Sequence, residues 1–259
     1  MISSPIEISS IALFLVFVAL AVYAQNLTGF ALALILLGLV GATDLYPLPD
    51  VVNVVSIIAL VNAMIFLYKR RALRLERALW PALLASFVGT VLGVMALSWI
   101  VGNAYELLRL LLGASIIYCA WILWRRKTQL KTASPPSAFI SVGLLSGLMS
   151  GLFSAGGPPL VYQVYQQPWP LARMQESLMY LFGAGALLRL IIVVPSGGFT
   201  SQALILSVVT LPAVILITLL TAQRKPPFSP RALKFLVCLL LISTGIMMVH
   251  GATSVLISA

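Results

Sequence analysis

The chain has 259 residues, of which 61% are hydrophobic and only 8% are charged. A soluble globular protein is about 25% charged, so this composition excludes an ordinary soluble domain. Several apolar windows reach the roughly 18 residues that are needed to cross the hydrocarbon core of a bilayer. The sequence therefore predicts an all-α polytopic membrane protein.

The net charge of +10 comes from short basic runs that lie between the apolar windows. Such runs are typical of cytoplasmic loops and not of a nucleic-acid-binding face, so we expect no nucleic-acid partner. Cys119 and Cys238 lie inside apolar windows without metal-ligand spacing. We therefore expect neither a disulfide nor a metal site, and no cofactor. The segment Met1–Ser10 has no basic residue and lacks the n-region of a cleaved signal peptide.

In chain order, a long apolar stretch over Ser10–Ala42 precedes three predicted spans, and a second stretch over Ala138–Gln166 precedes three more. The six predicted spans are Val51–Tyr68, Leu79–Val101, Glu106–Trp124, Met174–Val194, Gln202–Ala222 and Leu233–His250. Three basic clusters, which the excess of Lys and Arg assigns to the cytoplasm, lie at Lys69–Arg77, Arg125–Lys131 and Arg224–Lys234. The loops over 43–50, 102–105 and 195–201 contain no basic residue and are assigned to the outside.

These assignments determine how Ala138–Gln166 lies in the membrane. Two spans separate the second basic cluster from the third and already return the chain to the cytoplasm. The stretch must therefore enter and leave on one side, as a re-entrant hairpin with arms of about 20 Å each. By analogy, Ser10–Ala42 is a second hairpin that enters from outside. An alternative stays open, in which both stretches cross as kinked helices and give eight spans with both termini inside.

The hairpin interpretation divides the chain into two transmembrane repeats, residues 1–131 and 132–259. Each repeat is a broken or re-entrant helical hairpin followed by three transmembrane helices. Because three is an odd number, the second repeat is inverted relative to the first. Inverted repeats with broken segments in corresponding positions are the architecture of secondary transporters.

Each hairpin is interrupted by polar or helix-breaking residues. The first break is Gln25–Gly29, and the second is Ser154–Pro159. A helix that begins at Pro158 would aim its positive end at the second break, where free N–H groups favour an anion. If the two breaks meet near mid-membrane they face one cavity; alternatively, these polar residues are hairpin corners that satisfy one another. The candidate substrate-binding residues of the two breaks are Gln25, Asn26, Thr28, Gly29, Ser154, Gly156 and Gly157.

Two arginines complete the candidate site. Arg189 lies five residues before the end of its predicted span, where it either snorkels to the outer interface or attracts an anion. Arg173 precedes Glu176 by three residues, which suits an ion pair within one helix. Glu106 and Arg109 have the same spacing and are interpreted as an ion pair at a helix start near the outer surface.

Two rows of glycines indicate helix packing rather than substrate binding. Gly143, Gly147 and Gly151 recur at every fourth residue, as do Gly89 and Gly93. Small residues at this spacing let neighbouring helices approach closely in a membrane.

An intramembrane enzyme is disfavoured by the sequence. No acidic residue lies well inside an apolar window, and His250 is too close to the end of its window to be a persuasive base. Ser150 and Ser154 do not complete a G-x-S-x-G motif. We therefore expect a protein that is not an enzyme.

Three stretches of the chain resemble one transporter family. Residues 25–30, QNLTGF, resemble a first-half motif of the TauE/SafE sulfite exporter family, and residues 146–159, SGLMSGLFSAGGPP, resemble its second-half motif. The later stretch with Arg173, Arg189 and residues 197–200, GGFT, is similar to a further family motif. The resemblance covers nearly the whole chain. It implies a transporter that exports small anions, such as sulfite, organosulfonates or related organosulfur or organic acids, across the bacterial inner membrane.

The prediction is therefore a multi-pass secondary transporter that exports a small anion by alternating access. Its expected partners are the anion and the lipid bilayer. A passive anion channel and a non-transporting membrane scaffold are the alternatives. The sequence leaves open which anion is carried, whether transport is coupled to an ion, and whether a homo-oligomer forms.

Overall fold

The structure is a computed structural model that describes residues 8–71, 75–124, 130–222 and 230–258. All of the regular secondary structure in these residues is helical, as predicted. The helices are α1 (Ile8–Thr28), α2 (Leu32–Thr43), α3 (Leu48–Arg70), α4 (Trp80–Asn103), α5 (Tyr105–Trp124), α6 (Pro136–Phe153), α7 (Pro158–Tyr165), α8 (Leu171–Val193), α9 (Ser201–Thr221) and α10 (Pro230–Ser258). A 3-10 turn, Arg77–Leu79, leads directly into α4.

Six helices among the described residues are long and apolar enough to cross a membrane: α1, α3, α4 with its preceding turn, α6, α8 and α9. The predicted windows Glu106–Trp124 and Leu233–His250 also form helices, α5 and α10. Much of the predicted basic clusters, residues 72–74, 125–129 and 223–229, lies outside the described residues. The polytopic helical fold is confirmed, whereas the membrane crossings of α5 and α10 stay predictions.

The two predicted hairpins have unequal arms, so the expectation of two arms of about 20 Å is wrong. The first stretch forms α1 with 21 residues and α2 with 12, which correspond to lengths of about 31 and 18 Å. The second forms α6 with 18 residues and α7 with 8, or about 27 and 12 Å. The arms differ for two reasons. The predicted first break is placed too early, because Gln25–Thr28 continue α1 and the helix ends only before Gly29. The second break, which follows Phe153, lies nearer the end of its stretch than the start.

Helices before residue 125 pack against helices after residue 129 in matching positions. The first helix of each half packs against the fourth of the other half, in the pairs α1–α9 and α6–α4. The second packs against the fifth, in the pairs α2–α10 and α7–α5. The two third helices, α3 and α8, and the two fifth helices, α5 and α10, pack against each other. Each half therefore uses the same helix positions to contact its counterpart.

The closest helix contact joins α4 to α6 through the predicted glycine rows. A Cβ atom at Gly143, Gly147 or Gly151 would overlap the backbone of α4 at Ala82, Ser86 and Thr90. Conversely, a Cβ atom at Gly89 or Gly93 would overlap the backbone of α6 at Leu144 and Leu148. The interpretation of both rows as packing is confirmed, and the two backbones touch along about two turns of each helix.

Adding one methyl group at Gly147 should force α4 and α6 apart. Because the nearest atoms are backbone atoms of Ser86, no side chain can rotate to make room, and overpacking of this kind costs about 1–3 kcal/mol. We expect Gly147→Ala to lower the thermal unfolding midpoint of the detergent-solubilised protein by several degrees. Gly102→Ala is the matched control, since nothing lies within 4 Å of its added Cβ. Equal midpoints for the two variants would contradict the close α4–α6 contact.

Candidate functional site

Arg189 is the most deeply buried charged residue described, with 1% of its surface exposed. Its Nε donates to the carbonyl oxygen of Gly151 at 3.1 Å. Its Nη1 donates to Asn53 Oδ1 at 2.9 Å and to Ser56 Oγ at 2.8 Å. The alternative in which Arg189 snorkels to the outer interface is therefore wrong: the guanidinium points inward, between α3 and α6.

All of these acceptors are neutral oxygens. None of the ion pairs formed by the described residues involves Arg189. Taking an ion out of water costs several kcal/mol, and neutral acceptors recover only part of that cost. Buried arginines in membrane segments usually face a partner or a substrate pathway. The site therefore holds a positive charge without a carboxylate to balance it, which suits an anionic ligand.

The second break lies directly beside this guanidinium. Ser154 follows α6 in a left-handed conformation, with φ of 52°, and its hydroxyl lies 3.0 Å from Ser56 Oγ. Helix α7 then begins at Pro158, as predicted, with Gly157 as its N-cap. The first N–H groups of a helix have no partner within it and carry partial positive charge, although Pro158 and Pro159 contribute none to α7. Arg189 and the start of α7 thus direct positive charge toward the same break.

Gly156 and Gly157 keep this break compact. A Cβ atom at Gly156 would overlap the ring of Phe182, and one at Gly157 would lie 2.6 Å from the sulfur of Met149. Gly157 also has a φ of 71°, which a side chain rarely tolerates. The hydroxyl of Ser146 donates to the carbonyl oxygen of Gly156. Both glycines are therefore required for the backbone to turn here.

Asn53 and Ser56 are site residues that the sequence analysis missed. They stand about one turn apart on α3, inside the predicted span Val51–Tyr68. Asn53 also donates through Nδ2 to the carbonyl oxygen of Gly198 at 2.8 Å, which ties α3 to the loop after α8. Their i, i+3 spacing on one helix face was the available signal.

The first break is built from neutral groups. Gly29 has a φ of 84°, and a Cβ there would lie 3.1 Å from the Cα of Gln175 in α8. Gln25 donates through Nε2 to the sulfur of Met179 at 3.3 Å. Asn26 donates through Nδ2 to Thr221 Oγ1 at 2.8 Å, at the end of α9.

The open carbonyl groups at the end of α1 are capped by side chains from the second half. Gln175 donates to the carbonyl oxygen of Leu27, and the hydroxyl of Tyr165 donates to that of Thr28. The side chain of Thr28 turns back and donates to Ala24 of its own helix at 2.8 Å. Thr28 thus contributes its carbonyl group, rather than its hydroxyl, to the contact between the halves.

The structure does not bring the two breaks together in one cavity. The first break contacts Gln175 and the second contacts Arg189, and 14 residues of α8 separate these positions. This separation corresponds to about 21 Å along the helix axis. The breaks lie apart because each long arm carries its break beyond the middle of the fold. The predicted binding residues therefore form two groups, one at each break.

Arg173 is not part of the group around Arg189. Its side chain is 57% exposed and pairs with Glu76 at 2.8 Å, not with Glu176 as its spacing indicated. Glu176 pairs with Arg70 of α3 at 3.9 Å. Sequence spacing was misleading here because α3 and the turn before α4 bring closer partners to this end of α8.

Arg109 supports the helix packing instead of a binding site. It pairs with Glu106 at 4.0 Å, as predicted, and more closely with Asp44 at 2.7 Å. It also donates to the carbonyl oxygen of Gly41 at 3.1 Å. A cation at the end of α2 suits the negative end of the helix dipole.

A groove of about 650 Å³ lies between α3, α8 and α9, away from both breaks. Its lining is almost entirely apolar and includes Ala63, Met64, Gly183 and Leu187. Met64 and Leu187 are well exposed, as expected of side chains that face lipid tails. Its donors belong to Tyr68, Lys69 and Tyr180, and the rest of the lining offers an anion only apolar side chains. The buried polar group around Arg189 is therefore the better anion site.

Comparison with known proteins identifies the family of the chain. The model of the family described as "Sulfite exporter TauE/SafE" matches residues 13–248. A curated protein of Cupriavidus necator, named "Probable sulfite/organosulfonate exporter TauE", is 30% identical over 236 residues, which cover 90% of this chain and 91% of that protein. No solved structure matches the chain. The chain, a multi-pass inner-membrane protein with six candidate spans among its described residues, therefore belongs to the TauE/SafE sulfite exporter family.

Proposed function

We propose that this protein exports a small oxyanion across the inner membrane and binds it between Arg189 and the start of α7. The observation that carries the proposal is the burial of Arg189 among neutral acceptors, without an ion pair to any described residue. The name of the Cupriavidus relative supports sulfite or an organosulfonate as the substrate. Both have oxygen atoms that accept charge-assisted hydrogen bonds from a guanidinium.

The proposed binding step replaces a contact between two hydroxyl groups. Ser56 and Ser154 are hydrogen-bonded to each other at 3.0 Å, and Arg189 donates to Ser56. An oxyanion inserted here accepts from Arg189, from both serine hydroxyls and from the backbone N–H groups of Gly156 and Gly157. The bound anion balances the charge of the buried guanidinium. The attraction between the two charges is strong because the guanidinium lies in an interior of low dielectric constant.

The proposed transport step is a movement of α6 away from α3 and α8. Ser56, Ser154 and Arg189 are all buried, so an anion reaches them only if helices separate. Arg189 and Ser56 stand on α8 and α3, whereas Ser154 and the carbonyl of Gly151 belong to the α6 side of the site. Because α6 is locked to α4 by glycine contacts, α4 and α6 would move together as one unit.

We infer that the halves 1–131 and 132–259 are inverted repeats. Alternating access then arises because each half adopts the conformation that the other half had before. Two features support this inference. The halves contact each other through matching helix positions. The corresponding helices α3 and α8 run antiparallel, with Arg70 near Glu176 at one end and Asn53 bonded to Arg189 at the other. Paired inverted repeats allow one half to close as the other opens.

The direction of transport follows from the membrane potential. An inside-negative potential favours expulsion of a monoanion by about 2.3 kcal/mol per 100 mV. Export of such an anion thus needs no coupled ion. The site around Arg189 contains no acidic side chain among the groups bonded to it, consistent with transport that does not relay a proton.

Removing the charge of Arg189 should abolish transport. We expect Arg189→Gln to lower efflux of labelled sulfite from proteoliposomes by at least about 100-fold, because the buried positive charge is the main attraction for the anion. Arg189→Lys keeps the charge but loses the planar fork, so we expect an intermediate loss. Arg71→Gln, which removes an exposed cation, is the control and should stay within about twofold of the native rate. Near-native efflux from a folded Arg189→Gln protein would reject the proposed site.

Flux at a clamped potential separates a carrier from the alternatives. Proteoliposomes loaded with sulfite, an organosulfonate or a small carboxylate should show saturable efflux and counterflow of the sulfur oxyanions, faster as the loaded side becomes more negative. Unitary currents without saturation would instead indicate a passive channel. The absence of flux for every anion, from protein of verified fold, would indicate a scaffold.

Single cysteines can test the inverted arrangement. Asn103→Cys and Ser196→Cys should react with a membrane-impermeant maleimide from outside, and Thr132→Cys only after the membrane is opened. All three positions are exposed, whereas Cys119 and Cys238 are buried and should react slowly. Labelling of Ser196→Cys only after the membrane is opened would favour the eight-span alternative, in which this loop is cytoplasmic, and would overturn the inverted arrangement.

A further inference from the structure

The apolar groove between α3, α8 and α9 is polar at one end only. Helix α3 packs against both α8 and α9, and the groove lies between these two neighbours. Its hydrogen-bond donors are the side chains of Tyr68, Lys69 and Tyr180. The other side chains of its lining are apolar, and along α3 they continue back to Leu60. A ligand of this groove therefore needs one polar end and one apolar end.

All three helices place the polar end of the groove at the same side of the fold. Arg70, at the end of α3, pairs with Glu176 near the start of α8 at 3.9 Å. It also donates to the carbonyl oxygen of Ala222, directly after α9, at 2.8 Å. Tyr180 lies one turn beyond Glu176 and packs against Ala222 and its neighbours. This is the side that the excess of Lys and Arg assigns to the cytoplasm.

The groove is about as long as one leaflet of a bilayer is deep. Its lining follows α3 over nine residues from Leu60 to Lys69, which corresponds to about 14 Å. The hydrocarbon core of a bilayer is about 30 Å thick, so each leaflet contributes about 15 Å. A transmembrane helix of another chain would need a groove of about twice this length. An acyl chain of the cytoplasmic leaflet matches the length and has its headgroup at the polar end.

The apolar lining explains why a chain fills the groove but not which lipid supplies it. The small residues Ala63, Gly183 and Ala184 leave room between the helices, and the volume of about 650 Å³ is that of a typical ligand pocket. Walls without contacting atoms would lose their dispersion attraction, so a chain is favoured there. However, a chain in the bilayer is already surrounded by hydrocarbon. Any selectivity among lipids must therefore come from the polar end.

The polar end favours an anionic headgroup. Lys69 carries a positive charge, and none of the described residues that line the groove is acidic. The charge of the neighbouring Arg70 is balanced by Glu176. Basic pockets between helices on the cytoplasmic side of a membrane bind lipid phosphates, and tyrosines are enriched at the depth of the headgroups. A zwitterionic lipid would bring its own cation to this end, where Lys69 repels it.

We propose that the groove binds an anionic phospholipid of the cytoplasmic leaflet, with one acyl chain along α3 and the phosphate at Lys69, Tyr68 and Tyr180. The bound chain fills the space between α8 and α9 and braces both helices against α3. The phosphate balances the charge of Lys69. This site is independent of the proposed export function, because it contains no residue of the group around Arg189.

The test follows thermal unfolding of the delipidated protein in an uncharged detergent while lipid is titrated into the micelles. Phosphatidylglycerol and phosphatidylcholine with identical acyl chains are compared. We expect a saturable rise of the unfolding midpoint, half complete at an about fivefold lower mole fraction of phosphatidylglycerol, as one basic residue near a lipid phosphate provides. Lys69→Gln should remove this preference. Arg71→Gln is the matched control, because it removes an equal, exposed charge outside the lining and should keep the preference.

Two further comparisons identify the occupant. Glycerol phosphate, a headgroup without chains, should leave the midpoint unchanged. Ala184→Phe places a ring in the groove and should weaken the effect of phosphatidylglycerol, whereas Val208→Phe, at an exposed position of α9 outside the lining, should not. If Ala184→Phe does not fold, the comparison of Lys69→Gln with Arg71→Gln decides alone.

Three results would overturn the lipid site. The first is an equal response of the native protein to both lipids, or a preference that persists in Lys69→Gln. The second is an equal shift with glycerol phosphate, which would indicate a site for a free anion. The third is a dimer of the delipidated protein that Ala184→Phe dissociates, since a second copy of the chain would then occupy the groove.

Discussion

The burial of one positive charge is the constraint on which the rest of the structure depends. Arg189 must find acceptors inside the fold, and it obtains them from α3 and α6, which approach α8 from opposite sides. Three neutral oxygens lower the cost of burial but leave the charge unbalanced. Where nothing but stability is required, an apolar residue at this position would serve better. Under the proposed function, the guanidinium is buried at this position because it belongs to the anion-binding site.

The two helix breaks solve the same backbone problem with different chemistry. Both α1 and α6 end inside the fold and leave carbonyl groups without intrahelical partners. At the end of α6 a cation, Arg189, caps the carbonyl of Gly151, whereas at the end of α1 the neutral Gln175 and Tyr165 cap those of Leu27 and Thr28. Corresponding positions in the two halves thus give one charged and one neutral polar group. Under the proposed mechanism, the end of the transport path at Arg189 would therefore bind an anion more tightly than the end at the first break.

The features that could be predicted from the sequence are those that depend on local residue preferences or on a periodic pattern of residues. Apolar length predicted the helices, Pro158 predicted the start of α7, and the glycine spacing predicted close helix packing, although the structure alone shows that α4 and α6 are the partners. Features that depend on tertiary placement were missed. Asn53 looks isolated in an apolar window until α8 brings Arg189 to it, and Arg173 has a closer partner than the carboxylate on its own helix. The unequal arms of the first stretch were missed because Gln25, Asn26 and Thr28, whose polar side chains suggested a break, continue α1 as helix.

Under the proposed mechanism, the contact between α6 and the α3–α8 pair, which we call the seam, makes the separation of these helices depend on whether an anion is bound. In the structure, Arg189 bridges this seam through Gly151, and Ser56 bridges it through Ser154. Opening without an anion would strip acceptors from a buried cation, and that loss is larger than for a neutral group. A bound anion moves with the guanidinium and supplies the missing acceptors, so the seam opens at lower cost when loaded. The same charge that attracts the substrate would thereby suppress leakage through the empty transporter.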